Sequence, residues 1–232
     1  MNANWGWKEA LVSVGIMGPS LLIGTVGAFA VGYVVTGAPP DAKHIMVPSQ
    51  IAAYACWLAG VWLLFRSKDL SAWRELHMQW PSSGTFGYLA LGPGIMIAVG
   101  LLAPLLRAKD VDVNVLRQIL SDPVARPMLI AFGITIGPLV EEMLFRGILL
   151  PVAVRGIGVA GALALTSIPF ALVHGPQYSW SWQHILLLVF VSVAFGVVRL
   201  RSGSTMASTL THGAYNLMMF AAYFITTKDT QL

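Results

Sequence analysis

The sequence predicts an all-α, polytopic membrane helical bundle of about seven helices, eight on the upper count, with one short interfacial helix among them. Two observations predict it. Hydrophobic residues make up 56% of the 232-residue chain and charged residues only 10%. A soluble domain carries about 25% charged residues, so there is too little charge here to cover a globular surface facing water. The apolar residues also come in blocks of bilayer-crossing length rather than in short amphipathic patterns. The expected organisation is a single integral membrane domain over residues 1–232, with the chemistry-bearing residues confined to about 125–220.

The apolar blocks place the spans near residues 10–36, 49–65, 85–106, 126–153, 156–174, 183–200 and 204–226. The first follows Lys8 and is too long for the apolar region of a signal peptide, about 7–15 residues, so it reads as a retained membrane helix. Gly24, Ala28 and Gly32 recur every four residues within it, a stripe that lets a neighbouring backbone approach closely. The charged break 66–84 and the break 107–126 cannot cross lipid, and the second holds the short surface helix. At its end "SDP" predicts a helix start, with Asp122 as N-cap and Pro123 in the first turn. Trp5, Trp7, Trp73, Trp80, Trp180 and Trp182 fall at or beyond span ends, where indole rings favour the interface. Basic residues divide almost evenly between the two sides, so they assign no orientation.

Cys56 is the only cysteine, which excludes an intramolecular disulfide and any multi-cysteine metal cluster; its apolar surroundings make it a small packing residue. The net charge of +4 belongs to loops beside a membrane rather than to a nucleic-acid surface.

Six polar residues stand inside the last four spans: Glu141, Glu142, Arg146, His174, His212 and Asn216. A charge at mid-bilayer costs about 2.5–3.5 kcal/mol on insertion scales, so such groups face the bundle interior and mark a functional site. Glu142 and Arg146 are one turn apart with the acid first, the favourable order for an ion pair. That pair serves equally as a clasp between helices. Glu141 projects about 100° away from Glu142 and cannot share the arginine equally. It is left as the free carboxylate, suited to general-base work. His174 closes the fifth span in "PFALVHG", one turn after Phe170. His212 and Asn216 in "THGAYN" share a helix face, as hydrogen-bond donors to an oxyanion or as an interhelical polar contact. Pro138 and Pro169 free the carbonyls of Ile134 and Leu165, which calls for a polar cavity nearby. His44, His77 and His184 read as interfacial.

"EEMLFRG", "FALVHG" and "THGAYN" fit the motifs EExxxR, FxxxH and HxxxN, in order and each on its own span. In this the chain resembles the CAAX proteases and bacteriocin-processing enzymes, also called the Abi or type II CAAX prenyl endopeptidase family. The resemblance covers roughly residues 125–220 and implies an intramembrane endopeptidase that activates water with glutamate and histidine. It implies Glu141 as general base, His174 as its partner on the same water, and His212 and Asn216 as oxyanion donors. Glu142 and Arg146 would order the site. No cofactor is expected; the alternative is zinc held by Glu141, His174 and His212, although the chain lacks HExxH.

The expected activity is hydrolysis of a peptide bond in a membrane-associated peptide or protein of CAAX or bacteriocin type. The alternative is a non-catalytic scaffold or bacteriocin-immunity protein of the same fold. A transporter is the third reading, but no inverted repeat is visible. The expected partners are membrane lipid and the substrate, without nucleic acid, and the expected location is a multi-pass position in a prokaryotic cell membrane.

Overall fold

The computed structural model describes residues 5–81, 83–108 and 114–229, and every regular element among them is helical. Helices α1 (Trp7–Gly15) and α2 (Met17–Thr36) are followed by α3 (Ala42–Arg66), the single turn α4 (Ala72–Glu75), α5 (Thr85–Leu105) and the short α6 (Asn114–Ser121). Then come α7 (Ala125–Ile134), α8 (Ile136–Glu142), a π-helical segment (Met143–Leu149) and α9 (Leu150–Val173). A 3₁₀ turn (Gly175–Tyr178), α10 (Trp182–Ser202) and α11 (Thr205–Asp229) complete the order.

Among the described residues, five stretches are long and apolar enough to cross a membrane: Trp7–Thr36, Ala42–Arg66, Thr85–Leu105, Ala125–Val173 and Trp182–Ser202. Seven spans are expected from the sequence, and the difference lies in two places. The 49-residue stretch Ala125–Val173 holds two of the expected spans. The chain reverses within it at Gly158, whose φ of 72° is a conformation that L side chains rarely adopt. A straight helix would separate Phe145 from Phe170 by about 37 Å, yet their ring centroids are 5.2 Å apart. The last expected span is helical as α11, but its Thr, Ser, His, Asn and Lys residues keep it outside the five.

Outward faces of the long helices carry large apolar side chains, among them Val34, Val35, Phe86, Leu101 and Leu105, as lipid contact requires. The interior is aromatic and tight around Trp57, Phe65, Leu76, Met78, Ile148, Val152 and Phe170. The small-residue stripe of α2 packs as expected: a Cβ on Gly24 would stand 2.4 Å from the backbone nitrogen of Ala53 on α3. Gly92 on α5 does the same against α11, with the backbone nitrogen of Tyr215 at 2.5 Å. Gly92→Ala is therefore expected to lower stability by about 1–3 kcal/mol, read as an earlier unfolding midpoint in mixed micelles.

Two details differ from expectation. Trp5 is buried rather than interfacial: its ring packs edge-on against Phe65 at 5.4 Å, and its carbonyl accepts from Arg155 at 2.7 Å. Trp7, Trp73, Trp80, Trp180 and Trp182 are exposed, as a membrane-interface belt requires. The helix expected to start at "SDP" begins at Ala125, later than Pro123, but Asp122 still caps it. Its Oδ1 accepts from the backbone N–H of Val124 and Ala125, each at 2.9 Å, and Oδ2 lies 3.0 Å from Lys43 Nζ. The Ala125 N–H and then Lys43 hold this carboxyl well below the usual carboxylate range. His44 Nε2, 3.1 Å from the same Oδ2, joins that junction between the starts of α3 and α7.

Candidate active site

Between α7 and α8 the helix breaks at Thr135, with φ −126° and ψ −83°. Pro138 lacks the N–H that would bond the carbonyl of Ile134, and that oxygen turns to α11, where Gly213 leaves room for it. A Cβ at Gly213 would stand only 2.6 Å away. The adjacent Gly133 carbonyl accepts from Asn216 Nδ2 at 2.7 Å. Immediately after α8 comes the π-helical segment, a widened turn of the kind found at functional sites. The break and the widened turn set Glu141 and Glu142 against α11 from the helix that carries them.

Glu142 and Arg146 are both fully buried and pair at 2.9 Å, one turn apart as the spacing predicts. The guanidinium also donates to the Ser192 carbonyl and hydroxyl, each at 2.7 Å. It lies against Phe145, Phe170 and Phe195, at 4.8 Å from the Phe170 ring centroid. The second oxygen of Glu142 accepts from the Ser208 hydroxyl, and its first lies 3.0 Å from His212 Nδ1. A carboxylate paired with arginine only accepts, so His212 carries its proton on Nδ1 and turns Nε2 the other way.

Glu141 stands apart from the arginine pair. Its Oε2 is 3.8 Å from His212 Nε2 and 3.9 Å from His174 Nε2. His174 Nδ1 donates to the Phe170 carbonyl at 2.8 Å, since a carbonyl can only accept. In their neutral forms both imidazoles therefore present an unprotonated Nε2 to one carboxylate oxygen. Two ring nitrogens thus lie 3.8 and 3.9 Å from one carboxylate oxygen, separations that a water donating to the carboxylate and one imidazole can bridge. Phe195 stacks on the His212 ring at 4.5 Å and Phe170 lies tilted against the His174 ring at 4.7 Å, restraining both rings. The side chains of Glu141 and His174 keep 22% and 20% of their exposure, so the site is reachable from outside the core.

A family model described as Type II CAAX prenyl endopeptidase Rce1-like matches residues 123–218. The match covers under half of the chain and shows a likeness to that family over this segment. The matched segment contains Glu141, Glu142, Arg146, His174, His212 and Asn216, and the five apolar stretches make the chain an integral membrane protein. No curated protein and no solved structure matches the chain.

Within the matched segment, five of the six residues singled out in the sequence converge on Glu141 and Glu142. Asn216 shares the α11 face with His212, but its amide donates to Gly133 and makes no contact with either glutamate among the described residues. Ser192, Ser208, Phe195 and, outside the segment, Tyr54 also belong to the site, and sequence reasoning missed them. Ser208 carries a signal in its spacing, one turn before His212 on the same face; Ser192, a lone hydroxyl in "FVSVAFG", has only its apolar setting.

A tetrahedral zinc with bonds near 2.0–2.1 Å sets its ligands about 3.4 Å apart, and the separations here are 3.8 and 3.9 Å. Among the described residues no group of three His, Cys, Asp or Glu is arranged to hold a metal ion.

Proposed function

We propose that the protein is a glutamate-dependent intramembrane endopeptidase, hydrolysing a peptide bond in a membrane-associated substrate without a metal. The observation that carries this reading is the pair of Nε2 atoms facing Glu141 Oε2 at 3.8 and 3.9 Å while each Nδ1 is tied to an acceptor. That arrangement suits a water which donates one hydrogen to Glu141 and the other to an imidazole.

Glu141 takes a proton from this water as its oxygen forms the new bond to the scissile carbonyl carbon. The carbonyl oxygen becomes an oxyanion. The second N–H of the Asn216 amide is its donor. The Glu142 carboxylate on Nδ1 holds His212 in the tautomer whose Nε2 faces the water, and Arg146 holds Glu142 in place. His174 orients the water. The tetrahedral intermediate then loses its C–N bond, and the proton held by Glu141 passes to the departing amine.

The matching family is described as a CAAX prenyl endopeptidase, and the substrate we propose is a membrane-associated peptide or protein of CAAX or bacteriocin type. Purified protein incubated with membrane-anchored peptides, with and without chelator, tests the reading. Wild-type cleavage should survive chelation, and His174→Ala should lose it. Activity abolished by chelator and restored by zinc overturns the metal-free mechanism. A folded protein that cuts no peptide favours the scaffold or immunity role.

A further inference from the structure

Glu141 has a third neighbour, and it comes from outside the family segment. Tyr54 lies in the middle of α3 and is buried. Its hydroxyl stands 3.5 Å from Glu141 Oε1, the oxygen that neither histidine faces. The Gln50 side chain, one turn earlier on α3, interacts with the same hydroxyl. The ring of Tyr54 packs on Phe132 with centroids 5.7 Å apart, a contact that phenylalanine would make equally well. Only the hydroxyl distinguishes tyrosine here, and it points at a carboxylate.

A carboxylate free to turn about its last bond would present its two oxygens to the histidines interchangeably and hold the water in no fixed place. A donor on one oxygen removes that freedom. The charged and titratable groups facing Glu141 are Tyr54 from α3, His174 from the end of α9, His212 from α11 and Arg146 on its own segment. Of these, Tyr54 alone contacts Oε1 among the described residues. Hydrogen bonds of unliganded sites are often long and tighten when substrate binds.

We propose that Tyr54 is a positioning residue for Glu141: its O–H donates to Oε1 and sets Oε2 toward the water between His174 and His212. The inference rests on the reading of Glu141 as general base. It also gives α3 a part in the reaction, so the site is incomplete in the 123–218 segment alone.

The test compares wild type, Tyr54→Phe, Glu141→Gln, Glu141→Asp and the Tyr54→Phe/Glu141→Asp double variant on one membrane-anchored peptide substrate. Tyr54→Phe should lower kcat by about 10- to 100-fold, the worth of a hydrogen bond to a charged group, with KM and the unfolding midpoint unchanged. The shorter aspartate withdraws its carboxylate from the phenol, so Tyr54→Phe should cost little more in the Glu141→Asp background. Wild-type kcat in Tyr54→Phe, with Glu141→Gln inactive, overturns the inference and leaves the general base standing. An equal loss in both backgrounds overturns it as well, because Tyr54 would then act other than through Glu141. An active Glu141→Gln instead sinks the base itself, a failure distinct from that of Tyr54.

Discussion

Glu141→Gln should lower kcat/KM for peptide cleavage by at least about 10²- to 10⁴-fold, the usual worth of a positioned general base. Glutamine keeps the length and shape of the side chain, and its carbonyl oxygen can still accept from Tyr54. What it cannot do is take a proton from water. The loss should therefore appear in kcat, with KM and unfolding midpoint close to wild type. Glu141 has no part in the buried ion pair, whose arginine contacts Glu142 and Ser192, so the substitution leaves the core intact. A Glu141→Gln enzyme within tenfold of wild type would falsify the assignment of the base.

The residues that carry this prediction differ in how far the sequence revealed them. The Glu142–Arg146 pair was legible because both ends lie on one helix, where spacing alone sets distance. Separation of Glu141 from that pair was legible for the same reason. That His174 and His212 meet at one oxygen of Glu141 was not, since it depends on the packing of separate helices and on the reversal at Gly158. The π-helical segment was invisible because an apolar run reads alike at either helical pitch. Tyr54 and Ser192 were missed because a tyrosine or a serine in a membrane helix is common and has no characteristic spacing. Asn216 was read as facing the same point as His212. Their shared helix face is right, but its amide reaches across to the Gly133 carbonyl, exposed where Pro138 breaks the helix. A freed carbonyl can be anticipated from a proline, but not which neighbour answers it.

The largest loss of stability is expected from breaking the Glu142–Arg146 pair on one side only. Arg146→Met leaves a fully buried carboxylate with only Ser208 and His212 as donors, and it strips Ser192 of its guanidinium partner. Removing one member of a buried pair costs about 3–5 kcal/mol, because the remaining charge stays desolvated without compensation. Glu142→Leu should cost a similar amount by stranding the guanidinium among Phe145, Phe170 and Phe195. The double variant Glu142→Leu/Arg146→Met removes both charges together, so it should be more stable than the sum of the single losses predicts. Folded fraction against SDS in mixed micelles measures all four proteins, and an Arg146→Met variant as stable as wild type would contradict the pairing energetics. Regained stability should not bring back activity. Without Glu142, His212 loses the acceptor that holds its proton on Nδ1, and its Nε2 no longer faces Glu141 as an obligatory acceptor. The double variant thus separates the two functions of the pair, one in holding the helix and the other in setting the tautomer of the histidine beside it.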